Sequence, residues 1–301
     1  ANFVFAISGV SRHCIWSFLH SHPFYNSEQV SQRYVRVKKD SFVVPPMEEK
    51  AQKIYVAAIE QQMMDYERLI TSLKEPIGLE YYDRFKSRKK YSEKWDPQVL
   101  KRCYEVARYV LGVGTTAYLY HTVSALTLLR YQRLSRFFET PEEQRVLVDK
   151  MIRAVLDIDP LFEKELEDPL ALEKSLEHEV LTRFQNTKTN VAFTEEFDQS
   201  LQGKTSKLVG YTANAEALLA EAVRTALGRT SKDLAQGEAV DLVLDPKHNR
   251  VLADNLNSMT LDRLSQILHH VQFTFRKKIS HTADSQDQRH RMVPSSRPLL
   301  T

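Results

Sequence analysis

The sequence predicts an α+β fold, with helices packed on an antiparallel sheet, and three observations carry that reading. Short apolar runs that alternate with smaller or polar residues stand at 2–10, 208–211 and 271–275, the period of half-buried strands. Residues 45–185 are dominated by helical spacing with few breaks. A polar stretch at 187–205 then separates two unequal parts and is the best boundary in the chain. The expected organisation is 1–186, a linker at 187–205, and 206–301.

In order, Asn2 to Val10 reads as a strand and 12–19 as a short helix. After a polar loop, Arg33-Tyr34-Val35-Arg36-Val37 reads as the start of another strand. Pro46 ahead of Glu48 and Glu49 suits a helix start, because a missing amide hydrogen and early carboxylates match the positive helix end. That helix is expected to run to about Leu73, with Ile54, Ala58 and Met63 inward. Residues 76–96 are polar and aromatic and hold the basic run Arg84, Lys86, Arg88, Lys89, Lys90.

From Pro97 helices are expected to about 186, broken near Gly112 and at Pro141. Tyr109 to Leu129 contains no charged residue and has the length of a membrane span. Its glycines, threonines, His121 and Ser124 favour a buried helix pair over that alternative. The second part is expected to hold a strand at Leu208–Tyr211, a helix from Asn214 to Leu227, a helix near Thr260–Leu268 and a strand at Val271–Phe275.

A net charge of +3 is too small to imply a polyanionic partner. The basic run therefore reads as a solvated face, the weaker reading being nucleic-acid binding. Cys14 and Cys103 stand alone without CxxC spacing, which excludes a disulfide framework and a cysteine zinc site and fits a reducing cytoplasm. His13, His20, His22, His269 and His270 lack carboxylate or thiolate partners at ligand spacing, so no metal is expected. No secretory signal opens the chain, and Ala1 enters directly into a strand, as in a fragment of a longer protein.

Two sets of residues resemble one family. Ile7-Ser8-Gly9-Val10-Ser11-Arg12 and Ser31-Gln32-Arg33-Tyr34 resemble the signature of the flavin-dependent thymidylate synthases, an apolar strand, a Gly-Val-Ser-Arg-like turn, Gln-x-x-Arg-His-Arg, then Ser-x-Arg-Tyr. The glutamine position holds Phe18, and the Arg-His-Arg positions hold Ser21, His22 and Pro23. Further on, Glu105 to Leu111 resembles the helix before the family's Pro-bearing bend, the bend residue here being Gly112. Thr122-Val123-Ser124-Ala125-Leu126 resembles a Thr-Val-Asn-Ala-Arg segment, with both flavin-contacting residues replaced.

The second set has different survivors. Val209 to Glu216, with the Ala-rich stretch after it, resembles the family's first strand and helix. Phe273-Thr274-Phe275 resembles the strand before the signature, and Gln286-Asp287-Gln288-Arg289-His290-Arg291 is a full Gln-x-x-Arg-His-Arg. The pattern then departs at Pro294 and Ser296, and two earlier flavin-facing positions hold Leu264 and Gln266. A gapless offset of 268 residues sets Arg289 against Ser21 and Phe273 against Phe5. The chain thus reads as the later half of one unit at about 2–150 and the early half of a tandem second unit at 206–297.

The resemblance implies methylation of dUMP to dTMP, with methylenetetrahydrofolate as one-carbon donor, reduced FAD as hydride source and NADPH as reductant. It implies FAD binding by Arg289, His290 and Arg291, and dUMP binding by Ser31, Arg33, Gln286 and Arg289, whose planar guanidinium forks suit phosphate. Family sites are assembled from several subunits, so a homo-oligomer or a pseudo-symmetric assembly is implied, in which the two half-motifs share one site. A non-catalytic paralogue with a structural or nucleotide-sensing role is the alternative.

Overall fold

The computed structural model describes residues 1–21, 25–138, 140–166, 171, 174–176, 178–180, 190–254, 261–287 and 293–298, without the side chains at 20, 21 and 137. It divides into two compact units, one of Ala1–Thr187 with His281–Thr301, the other of Lys188–Ser280.

The first unit is built on a three-stranded antiparallel sheet of order β1-β3-β2, from β1 (Asn2–Ser11), β2 (Asn26–Gln29) and β3 (Thr116–Ser124). Ile7 pairs with Leu119, and the ladder slips between Ser8 and Val10. Gly9 sits at that bulge with φ +71°, a left-handed conformation that a side chain resists. The inner face carries Ile7, Val10, Ala117, Leu119, His121 and Val123. It packs on α1 (Arg12–Ser21), α5 (Ala125–Phe137) and α6 (Glu142–Leu156) through Phe18, Leu128, Tyr131, Val148 and Met151. Ser11 ties strand to helices: its N–H donates to Glu143 Oε1 at 2.7 Å, its hydroxyl donates to the same carboxylate, and its Oγ accepts from the Cys14 N–H as the N-cap of α1.

A second core lies where α2 (Glu49–Arg84) packs on α4 (Ser92–Ala107), through Ile59, Met63, Tyr66, Ile70, Val99 and Cys103. The one-turn α3 (Lys86–Lys89) links them. Arg88, central to the basic run, stacks at 4.2 Å from the Phe85 ring and 4.1 Å from Trp95 and donates to Tyr81 Oη at 2.7 Å. Cys14 and Cys103 are both buried and free.

Three expectations change here. Residues 109–129 hold a strand followed by the start of α5, not a helix pair. Thr116 to Ser124 is rich in β-branched and aromatic residues and alternates between buried and exposed, so period two wins over the lack of charge. Among the described residues no helix is long and apolar enough to cross a membrane. Arg33–Val37 is not a strand: Arg33 to Val35 lie in a turn, in which Tyr34 and Val35 both donate to the Ser31 carbonyl, and Arg36 and Val37 follow in irregular backbone. Helix α2 runs through Pro76 to Arg84 instead of stopping near Leu73. A proline removes one backbone bond, and Ile77, Tyr81 and Tyr82 beyond it still pack on the second core.

In the other unit, α7 (Val191–Leu201) occupies most of the 187–205 stretch read as a linker, capped by the Asn190 side chain accepting from the Phe193 N–H. β4 (Ser206–Tyr211) pairs antiparallel with β5 (Phe273–Lys277), Tyr211 against Phe273. The core joins α8 (Ala215–Leu227), α9 (Gln236–Leu244) and a 3-10 turn at Ser265–His270 through Leu219, Val223, Val243 and Ile267. The helix expected near 260–268 is thus only that 3-10 turn among the described residues. Both segments aligned by the 268-residue offset, in β1 and in β5, are strands.

His121 is fully buried, its ring 4.8 Å from Phe18 and 5.4 Å from Tyr25, with Nδ1 2.6 Å from Ser27 Oγ. Burial pushes its pKa down to about 4. The unfolded chain therefore binds the proton first as pH falls, near 6.5. Stability should be level above that pH and drop by up to about 1.4 kcal/mol per unit between about 6.5 and 4. Urea unfolding at pH 7.5, 6 and 5 should show that loss in the parent and much less of it in His121→Phe, which keeps a ring but cannot titrate.

Candidate functional site

A cleft of about 100 Å³ opens beside the first turn of α1. The Arg12 and His13 amides donate to the carbonyls of Thr115 and Val113, which anchors that turn on the loop before β3. Arg12 Nη2 donates to the Val30 carbonyl at 2.9 Å. Arg108 comes from the 3-10 turn after α4, where its Nε donates to the Glu105 carbonyl at 3.1 Å. Gln29 enters from the end of β2, and Ser31 and Gln32 from the segment after it. His281, Ser285 and Gln286 enter from α10 (His281–Asp287).

The described lining holds two arginines, several amides and hydroxyls, and no carboxylate. Arg12 carries the consequence. Its pKa falls to about 10, first because it is buried and second because Arg108 places a like charge beside it. A cation at the start of a helix also faces the positive end of the helix dipole. Such a site is short of negative charge, and an anion with several acceptor oxygens is its natural complement.

The structure brings Ser31 and Gln286 to this cleft. Arg33 is not in its lining: Nε lies 2.8 Å from Glu105 Oε1 as an ion pair, and the guanidinium sits 5.5 Å over the Tyr34 ring. Arg289, His290 and Arg291 lie outside the described residues, as do His22 and Pro23. Arg12 and Arg108 both lie in segments that resemble the family, and the local sequence pattern assigns neither a role. An arginine opening a helix directly after a buried serine is the signal that marks the first.

The replaced family positions have local explanations. Gly112 donates its N–H to Gln62 Oε1 at 3.0 Å, and a Cβ there would meet that oxygen at 3.0 Å and Ile59 Cδ1 at 3.4 Å. A proline would lose the bond and crowd the site. Ser124 accepts from the Thr127 N–H as the N-cap of α5, and Leu126 is an exposed aliphatic. Among the described residues, these flavin positions therefore do not fit the cofactor. No group of three or more His, Cys, Asp and Glu suited to a metal occurs among the described residues.

Residues 1–161 match the sequence profile of the thymidylate synthase complementing proteins. The flavin-dependent thymidylate synthase of Clostridium tetani is 26% identical over 162 residues, covering 53% of this chain and 60% of that protein. Its counterpart in Mycobacterium leprae is 40% identical over 76 residues, 24% of this chain and 30% of the relative. The chain thus spans less than two thirds of the length of either relative. A crystal structure of a UMP/dUMP methylase of Streptomyces cacaoi bound with 5-Br dUMP aligns at a TM-score of 0.35 and 16% identity, covering 61% of this chain and 71% of that one. With its matched profile spanning more than half of its length, this chain belongs to the thymidylate synthase complementing protein family.

Proposed function

We propose that the cleft at Arg12, Ser31, Arg108 and Gln286 binds dUMP, and that the chain acts as a divergent flavin-dependent thymidylate synthase. The observation that carries the nucleotide reading is the pair of arginines without a carboxylate in the described lining. The cleft has room for a phosphoryl group and not for a whole nucleotide, so Arg12, Arg108 and the Ser31 hydroxyl take the phosphate while sugar and base lie toward the open rim. Gln286 is the natural donor and acceptor for a base or ribose edge.

Methylation to dTMP with methylenetetrahydrofolate, reduced FAD and NADPH rests on family membership. With the described flavin positions replaced, FAD would depend on Arg289, His290 and Arg291. Ser124 and Leu126, spent on a cap and on solvent, specifically favour the second reading, a paralogue that binds nucleotide without turnover.

Purified protein separates the two readings. A catalytic member is yellow, with a flavin absorption band, and releases the C5 hydrogen of dUMP; the paralogue binds dUMP and is colourless. In calorimetric titration Arg289→Ala should weaken dUMP or FAD binding roughly tenfold or more, at about 1.5–3 kcal/mol for a charge-assisted contact. Arg88→Ala should leave binding unchanged, since Arg88 is spent on Phe85 and Trp95. Equal effects would remove Arg289 from the site.

A further inference from the structure

Trp16 Nε1 donates to Asp284 Oδ2 at 2.6 Å, and these two residues are separated by 268 positions. That is the offset relating the two half-signatures. His281, the equivalent of His13 by the same offset, has its ring 5.3 Å from Trp16, on which His13 itself stacks at 6.4 Å and 13°. A contact between a residue and its own equivalent is what an isologous interface produces next to its two-fold axis. The contacts of Trp16 with Asp284 and with His281 match that pattern between α1 and α10.

The operation that pairs them does not reproduce the site. It maps Gln286 onto Phe18 and Arg12 onto Ser280. Gln286 lines the cleft with Arg12 and Arg108, whereas Phe18 is fully buried in the first core and Ser280 has no cation to offer. The contact is pseudo-symmetric and the chemistry is one-sided.

We infer that α10 is a built-in partner element, clamped by Arg297, which takes the place of a second copy of α1 and completes one nucleotide site per chain in cis, with Asp284 as its positioning residue. The Asp284 carboxylate is held by Trp16 Nε1 and by Arg297 Nε at 2.9 and 3.2 Å. Both charged side chains are largely shielded, 16% and 25% exposed, so the clamp is not an ordinary surface pair. Two residues further along α10, Gln286 reaches the cleft. The inference rests on the nucleotide reading for its site and on geometry alone for its partner element.

The test uses the full chain in a Trp95→Phe background, which leaves Trp16 as its single tryptophan. Asp284→Ala should raise acrylamide quenching of Trp16 and weaken dUMP binding about tenfold, with one dUMP bound per parent chain. Arg297→Ala, which leaves α1 untouched, should do the same. In a Gln286→Ala background Asp284→Ala should still raise quenching yet leave dUMP affinity unchanged, because Asp284 acts through Gln286. Unchanged quenching overturns the partner element. Equal loss of affinity in both backgrounds, or two sites per chain, overturns the positioning role. A parent chain that shows no dUMP binding overturns the nucleotide reading and that role together, while quenching still reports on the partner element.

Discussion

Arg108→Ala is expected to weaken dUMP binding by roughly ten- to a hundredfold while leaving the unliganded protein as stable as before, or slightly more so. A charge-assisted bond to a phosphate is worth about 1.5–3 kcal/mol, which sets the size of the loss. The stability arm follows from Arg12, whose pKa is held at about 10 by burial first and by the Arg108 charge second. Arg12 remains a cation at pH 7 in the folded and unfolded chain alike, so its lowered folded value marks a cost of burial, with a smaller like-charge part, that persists at every pH below about 10. Removing Arg108 relieves the like-charge part. A structural arginine would behave in the opposite way, losing stability first and binding as a consequence. Thermal unfolding with and without dUMP, alongside titration calorimetry, separates the two patterns. A destabilised Arg108→Ala protein with unchanged affinity would contradict the assignment.

Phe18→Gln, which restores the residue expected from the family signature, should destabilise the chain by about 3–5 kcal/mol and restore nothing. Phe18 is fully buried, 4.8 Å from the His121 ring and 4.5 Å from Tyr131. Replacing a buried ring by an amide forfeits aromatic contacts and encloses a polar group at a fully buried position, each a recognised source of large losses. The position is part of the core, and Gln286, from α10, is among the glutamines that line the cleft. Urea unfolding measures the loss, and a variant within 1 kcal/mol of the parent would mean that the pocket tolerates an amide.

Strands and helices with a strong local period were legible in the sequence, namely β1, α1, β4, α8 and β5. The misread elements were those decided by distant partners. β3 lies in an uncharged stretch whose period two competes with a helical reading, and its pairing with both β1 and β2 settles the matter. The far end of α2 survives Pro76 because α4 packs against it. In the cleft, Ser31 and Gln286 were reachable through the family resemblance, since each lies within a short run that carries it. The Arg33 ion pair with Glu105 and the meeting of Arg12 with Arg108 join segments far apart in sequence, and nothing in the local pattern of either announces them.

The claim that the two half-signatures share one nucleotide site is tested most directly by a double-mutant cycle on dUMP affinity in the full-length chain, with Arg108→Ala and Gln286→Ala measured singly and together. Residues acting on one bound molecule are coupled, and the combined loss should fall short of the sum of the single losses by about 0.5–3 kcal/mol. Additivity within about 0.3 kcal/mol, or a parent protein that binds no dUMP, would contradict the shared site.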